Sequence, residues 1–386
     1  MAPRGWAPAT TTAAGLRKVL RPDQGDGLSR QAIPGSRAIL RPIVIAAGLA
    51  VLALAAPAAA QSPPTANVAA ALPRTADGHP DLSGVWTNAS LTHLTRPPGV
   101  AKLSMTRTEA EAYAKSNPMV RRLDSDARPS DEAQGAPSQG DPGGYNAFWL
   151  DPGRTVGEVK GEYRTSWIVE PANGQLPLSA EGKARVAKAD AYARHADRPD
   201  GPDEFEPWDR CIIASRGSGG PGMLNNIYNS NYQIVQTPGS VAIVVEMIHD
   251  ARTVPLFKDK AAAQAAHGPA SLHPWLGDAV GWWEGDTLVV ETVNVNAEQG
   301  RAGPIYLTPQ AKVTERFTRV SAKQIFYEFR VEDPVYYTQA WRAEMSLNAI
   351  AGPVYEYACH EGNYALEDIL KGMRAGETAA AGKGGQ

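Results

Sequence analysis

Only two cysteines, Cys211 and Cys359, occur in 386 residues. That excludes a cysteine-built metal cage and a densely disulfide-bonded framework. Charge of one sign is also lacking: 38 Lys and Arg face 41 Asp and Glu, for a net charge of −3 and an isoelectric point near 6.2. A nucleic-acid footprint is basic and clustered, so no nucleic-acid partner is expected. No phosphate-binding loop is present either. Gly217-Ser218-Gly219-Gly220-Pro221-Gly222 lacks the Gly-Lys-Ser/Thr ending and a strand–helix setting, and reads as a flexible loop. The same stretch only faintly echoes the G-x-S-x-G of a serine nucleophile. His249, His273, His360 and Glu361 fall in no recognised metal-ligand spacing, so neither metal nor cofactor is expected.

One long apolar run exists, Ile43 to Ala56, followed by Pro57-Ala58-Ala59-Ala60 and Gln61. An apolar core of this length that follows positive charge and ends in Ala-x-Ala reads as a signal peptide cut after Ala60. It is short for a spanning helix, and an uncleaved anchor is the alternative. Residues 1–42 are over-long for the basic leader of such a signal, which suggests a true start further downstream. A periplasmic or secreted location follows, with no membrane span after cleavage. Export makes a Cys211–Cys359 disulfide the default pairing. Closing a loop of that length is worth roughly 5 kcal/mol in the chain-entropy account.

Residues 61–79 read as an Ala/Pro/Thr-rich linker and 80–375 as a single domain. A mobile Gly/Pro-rich loop is expected near 121–144, and residues 376–386 as a disordered tail. Gly84-Val85-Trp86 lies in the first strand. Tyr145 to Trp149 and Tyr163 to Glu170 are strand-like in composition. Helices are expected over Thr108 to Ser116, over Ser179 to His195 with Ser179 as N-cap, and over Tyr364 to Met373 after Asn363. From Asn231 onward the pattern is hairpins: Tyr232–Thr237 with Val241–His249, Ala279–Trp283 with Thr287–Val293, and Val313–Arg319 with Gln324–Val331. Tyr336–Leu347 and Val354–Cys359 follow. Alternation places Ile325, Tyr327, Phe329 and Val331 on one face of their strand, and Trp341, Ala343, Met345 and Leu347 on one face of theirs. Val241–His249 is apolar on both faces and is expected to be covered on both. The fold class is therefore mainly β, an antiparallel β-barrel with a few peripheral helices and a C-terminal helix.

Polar residues intrude at a few points. Glu246 interrupts the apolar run VAIVVEMI, as a pocket group or as half of an ion pair with an arginine such as Arg316. His249, Asp250 and Arg252 form a rim cluster. His360 and Glu361, beside Cys359, would be carried by the disulfide to Asp209 and Arg210. His249, His360, Glu361 and Glu246 are the candidate acid/base groups, with Arg210 or Arg252 to stabilise negative charge. Asp250, Trp283 and Tyr364 are further candidate ligand contacts. Trp282 and Trp283, adjacent on one strand, must face opposite sides, so that one of them can line a cavity.

Several stretches carry a family resemblance: Tyr163-Arg164-Thr165-Ser166-Trp167-Ile168-Val169-Glu170-Pro171, Asn231 to Pro238 with Glu246 to Arg252, Trp283-Glu284-Gly285-Asp286-Thr287-Leu288-Val289-Val290, and Tyr355 to Tyr364. Over about residues 80–375 the chain resembles a large family of secreted proteins of Gram-negative soil and water bacteria. The resemblance implies export and a shared fold, and no substrate. The chain departs from it in the Leu256-Phe257-Lys258-Asp259-Lys260 stretch and the Ala-rich insert after it, expected to border the His249 rim. Gly84-Val85-Trp86 is similar to the Gly-x-Trp of lipocalin first strands. The aromatic-rich strands, in a small barrel with room for one ligand, point to an exported barrel that binds a small apolar or aromatic molecule. The alternatives are a hydrolase, lyase or isomerase on the same barrel and a structural envelope protein.

Overall fold

A computed structural model describes residues 72–126, 150–193, 201–214, 217–299 and 303–383. The signal segment expected over residues 1–60 and the strand expected at Tyr145–Trp149 lie outside them. The chain begins with β1 (Gly84–Thr87), β2 (Ser104–Met105), α1 (Arg107–Ser116) and α2 (Pro118–Asp126). β3 (Glu158–Val159), β4 (Glu162–Arg164), β5 (Ile168–Glu170) and α3 (Ala180–Ala193) follow. Then come β6 (Asn231–Thr237), β7 (Ser240–Val245), β8 (Ala251–Phe257), α4 (Lys260–Ala265), β9 (Asp278–Glu284), β10 (Thr287–Val293), β11 (Lys312–Ser321), β12 (Gln324–Glu332), β13 (Trp341–Ala349) and α5 (Ala365–Lys383).

The strands β1 and β6 to β13 hydrogen-bond in a ring that closes where β1 meets β13, with Trp86 opposite Ala349, while β5 adds to the outer edge of β13. This is a closed nine-stranded barrel, and closure leaves it no open edge. It differs from an all-antiparallel barrel at one seam. β8 and β9 run parallel, through Leu256–Gly281 and Phe257–Trp282. A parallel pair needs a crossover, and α4 with the loop after it supplies one. The Ala-rich insert is therefore part of this crossover. It leaves β8 at the end opposite His249, so it does not border that rim.

The alternation in the sequence survives into the barrel. Ile325, Tyr327, Phe329 and Val331 point inward on β12, as do Trp341, Ala343, Met345 and Leu347 on β13. Phe317, Tyr327, Phe329 and Trp341 pack ring to ring in sequence, two pairs tilted and the last edge-on, with centroids 4.8, 5.7 and 5.6 Å apart. Trp86 is buried, donates from Nε1 to the Leu82 carbonyl at 3.0 Å, and lies 5.2 Å beneath the Arg319 guanidinium. Trp282 and Trp283 do face opposite sides. Trp282 joins Val280, Val289 and Ala263 in a small outer cluster, while Trp283 packs on the main core and stacks on His79 at 4.4 Å.

Several expectations need correction. β7 ends at Val245 rather than at His249, and its outer residues Ala242 and Val244 are half-buried, not covered. Glu246 is already αR, and Ile248 and His249 take φ of 59° and 47°, in a region β-branched residues rarely enter. The chain thus reverses within one turn into β8, a strand the polar Arg252 and Pro255 had hidden. The stretch from Tyr163 to Glu170 breaks between β4 and β5, and Val354–Cys359 is irregular rather than a strand. Residues 121–126 belong to α2 rather than to a loop. α5 continues to Lys383, through residues expected to be disordered. The Ser179 cap is present, accepting from Gly182 N at 2.8 Å.

The Gly-rich stretch is not a surface loop. Ser218 to Leu224 are buried and plug the barrel. Gly220 has φ of +82°, and a Cβ there would stand 2.7 Å from Arg252 Cζ, so only glycine fits against that guanidinium. Arg252 in turn meets Glu315 in a bidentate pair, Nη1 to Oε2 at 2.6 Å and Nη2 to Oε1 at 3.0 Å, with both side chains almost fully buried. The plug is wired to this pair. Tyr327 donates to Glu315 Oε1 at 2.7 Å, Gly222 N donates to the same oxygen at 3.3 Å, and Met223 N donates to the Tyr327 hydroxyl at 2.9 Å. Burial opposes the Arg252 charge, but Glu315 outweighs it and the pKa lies above its ordinary value. Burial, then the Glu315 charge, hold the Tyr327 phenol protonated. Breaking a buried pair leaves an uncompensated charge, which costs about 3–5 kcal/mol. Urea denaturation of Arg252→Ala is expected to show a loss of that size, and the double variant Arg252→Met/Glu315→Leu to recover most of it. Equal, small losses in both would mean that the pair does not hold the interior.

Candidate functional site

Three of the residues singled out in the sequence, Glu246, His249 and Asp250, lie at the β7–β8 turn. The disulfide is formed, with Cys211 and Cys359 Cα atoms 5.8 Å apart. It draws the segment after β13 across the barrel end. Tyr355 N donates to Glu246 Oε1 at 3.1 Å, His249 Nδ1 lies 3.1 Å from the Tyr357 carbonyl oxygen, and Asn363 Nδ2 approaches Cys211 Sγ at 3.7 Å. The result is a clasp that closes one end of the barrel.

The individual roles shift inside that clasp. Glu246 is buried and accepts from Asn231 Nδ2 at 2.6 Å; it makes no pair with Arg316, which bonds Glu284 and Glu328 instead. Arg252 is not on the rim at all but in the interior pair. Arg210 binds Glu298 at 3.0 Å and Asp203 at 3.5 Å. His360 and Glu361 are exposed, and no hydrogen bond or ion pair joins either side chain to another group among the described residues. Among the described residues no hydrogen bond or ion pair joins Arg210 to His360 or Glu361, or His249 to His360. Tyr364 is 70% exposed, and Trp283 is occupied by His79. Among the described residues no group of three His, Cys, Asp or Glu is placed to hold a metal.

Two arrangements went unread in the sequence. His267, after α4, sits between two carboxylates, with Nδ1 3.0 Å from Asp278 Oδ2 and Nε2 3.4 Å from Glu291 Oε1. Gln264 Nε2 donates to both Glu291 oxygens at 3.0 Å, so the group ties α4 to β9 and β10. No signal short of the three-dimensional crossover marks it.

The second is a cleft of about 350 Å³ between the barrel wall at β12 and β13 and the small sheet of β2, β4 and β3. Its wall carries Gln324, Ser346 and Asn348. Asn88 and Ser90 come from the segment after β1, Thr155, Gly157 and Glu158 from the approach to β3, and Tyr163 and Trp167 from the stretch around β4. Backbone contact explains the shape. Gly157 lies so close to the Trp167 ring that a Cβ there would stand 2.0 Å from its Cη2. The Trp167 indole N–H is held by Asn225 Oδ1 at 2.8 Å. Small polar residues in five separate places, each ordinary for a solvated strand end, gave no cue in the sequence.

Comparisons with family models, with curated proteins and with solved structures give no match.

Asp250 is the one group at the clasp whose acidity departs strongly from its ordinary value. Burial raises its pKa from 3.8 to about 6, against the hydrogen bond from Ala214 N at 2.6 Å and the charge of His249. The unfolded chain gives up this proton at lower pH than the folded one, so the group lowers stability as pH rises from 3.8 to about 6. Asp250→Asn is expected to be more stable than the parent at pH 7.5, by up to about 2 kcal/mol after allowance for the part-exposed carboxyl, and equal to it near pH 4. Paired urea melts at both values check this. A variant no more stable at the higher pH would show that the carboxyl ionises normally.

Proposed function

We propose that the protein is exported and binds a small molecule in the cleft between the barrel wall and the three-stranded sheet. The cleft carries this reading: its volume falls within the roughly 300–1,000 Å³ usual for ligand sites, and several convergent polar groups line it. Among the described residues, aromatic side chains and the Gly-rich plug pack into the barrel interior. Export is supported by the apolar run at residues 43–56 and by the disulfide, a bond that persists in oxidising compartments. No helix among the described residues is long and apolar enough to cross a membrane. The cleft lining favours a neutral polar ligand over the apolar or aromatic one read from the aromatic-rich strands. A purely structural envelope role leaves the cleft without a purpose.

A second reading, acid/base catalysis, draws on one observation: the part-buried Asp250, which titrates near pH 6 and so can both hold and give up a proton close to neutrality. His249 and His360 are not paired, which weighs against it as the first choice.

Asn348 is exposed at the lip of the cleft, so a larger side chain there fills the space without entering the core. Asn348→Trp is expected to keep the parent melting temperature and to weaken any ligand found by native mass spectrometry of the purified protein by about tenfold or more. A ligand retained equally by parent and variant would place binding elsewhere.

A further inference from the structure

We infer that α5 is a self-association surface, which pairs antiparallel with α5 of a second copy of this chain. The first reason is an apolar strip left without a partner. Leu366, Ile369, Leu370 and Met373 recur at the i, i+3, i+4, i+7 spacing that places them on one helix face. Ile369 is 43% exposed and the other three are half-buried. None of the four belongs to, or packs against, a buried hydrophobic cluster of the described residues. A Cβ added at Gly372 or Gly376, beside the strip, would meet nothing within 4 Å. The helix is nonetheless anchored at its start: Asn363, two residues before it, approaches Cys211 Sγ at 3.7 Å in the clasp.

The second reason is symmetry. The strip reads the same from either end about a point midway between Ile369 and Leu370, where Leu366 mirrors Met373 and Ile369 mirrors Leu370. A two-fold axis through that point sets each apolar side chain of one helix against an apolar side chain of the other. Such self-complementarity is what an isologous contact between two copies requires.

The third reason is charge. At about 100° per residue, Glu367 and Arg374 border the strip on the same side, and its other side carries only Ala365, Gly372 and Gly376. Antiparallel helices meet with like sides together, so each Glu367 comes beside Arg374 of the other copy, about 3 Å off level along the axis. Glu367 pairs with Lys371 of its own helix at 2.6 Å, and both side chains are exposed, so the carboxylate stays open to a second cation. A parallel pair would set the charged side against the uncharged one and gain no ion pair. An anionic lipid surface gains nothing either, since Glu367 and Asp368 balance Lys371 and Arg374.

Sedimentation equilibrium of the purified protein over about 1 μM to 1 mM tests this. The strip is short, so a weak dimer is expected, with Kd of about 10–500 μM. Ile369→Glu is expected to raise Kd about tenfold or more at unchanged melting temperature, because Ile369 lies outside the core. Glu367→Arg and Arg374→Glu are each expected to weaken self-association about tenfold. Their equimolar mixture is expected to recover the parent Kd, since one helix then carries both cations and the other both carboxylates. A monomer at every concentration, or a dimer insensitive to Ile369→Glu, overturns the inference. A mixture that associates no better than the single variants overturns the antiparallel pairing. Binding of a monomer to phosphatidylglycerol vesicles, lost in Ile369→Glu, would assign the strip to a membrane surface and overturn the inference as well.

Discussion

A single desolvated ion pair organises this barrel. Arg252 on β8 and Glu315 on β11 meet inside a shell of aromatic rings, where neither charge can reach water. Such a pair adds little net stability over a well-packed apolar pair, because desolvation offsets most of the attraction. Its consequence is geometric. Glu315 also binds Tyr327 and the Gly222 amide, and Tyr327 holds the Met223 amide, so one carboxylate fixes two strands and the plug together. Gly220 is required by this arrangement, since the chain there passes within contact of the guanidinium.

Filling the interior moves the interesting chemistry outward. At one end the disulfide and the segment after β13 clasp the β7–β8 turn, and two of the candidate catalytic residues, Glu246 and His249, take part in that contact. Glu246 anchors the Tyr355 amide, and His249 meets the Tyr357 carbonyl. On the side wall, the short β2–β4–β3 sheet and β13 border a cleft lined mostly by neutral polar groups. The barrel serves as scaffold for that cleft, and the pair inside it keeps the scaffold rigid.

What the sequence revealed follows from the range of the interactions concerned. The strands at 325–331 and 341–347 were readable because alternation is local and each has one buried face. The hairpins were readable because short turns leave few choices, and the disulfide because there were only two cysteines to join. β8 was not readable: Arg252 and Pro255 look like the end of a strand until Glu315, 63 residues away, is seen to receive the arginine. The reversal at Ile248 and His249 was hidden as well, since a β-branched isoleucine rarely enters positive φ. The parallel β8–β9 seam depends on a crossover the Ala-rich insert only supplies in three dimensions. The Gly-rich stretch looked flexible because glycine marks mobile loops and close backbone contacts alike. The cleft was the least legible, being assembled from five segments whose residues are each unremarkable alone.

The central claim is that the interior is closed by a plug locked to the Arg252–Glu315 pair. Amide hydrogen exchange at Gly222 and Met223 tests it most directly, because both amides are bonded to that network. The account predicts exchange only through global unfolding, at the same free energy as the amides of β12. Exchange of these two amides orders of magnitude faster than β12 would show that the plug opens on its own, and would make the barrel interior, rather than the side cleft, the place to look for a ligand.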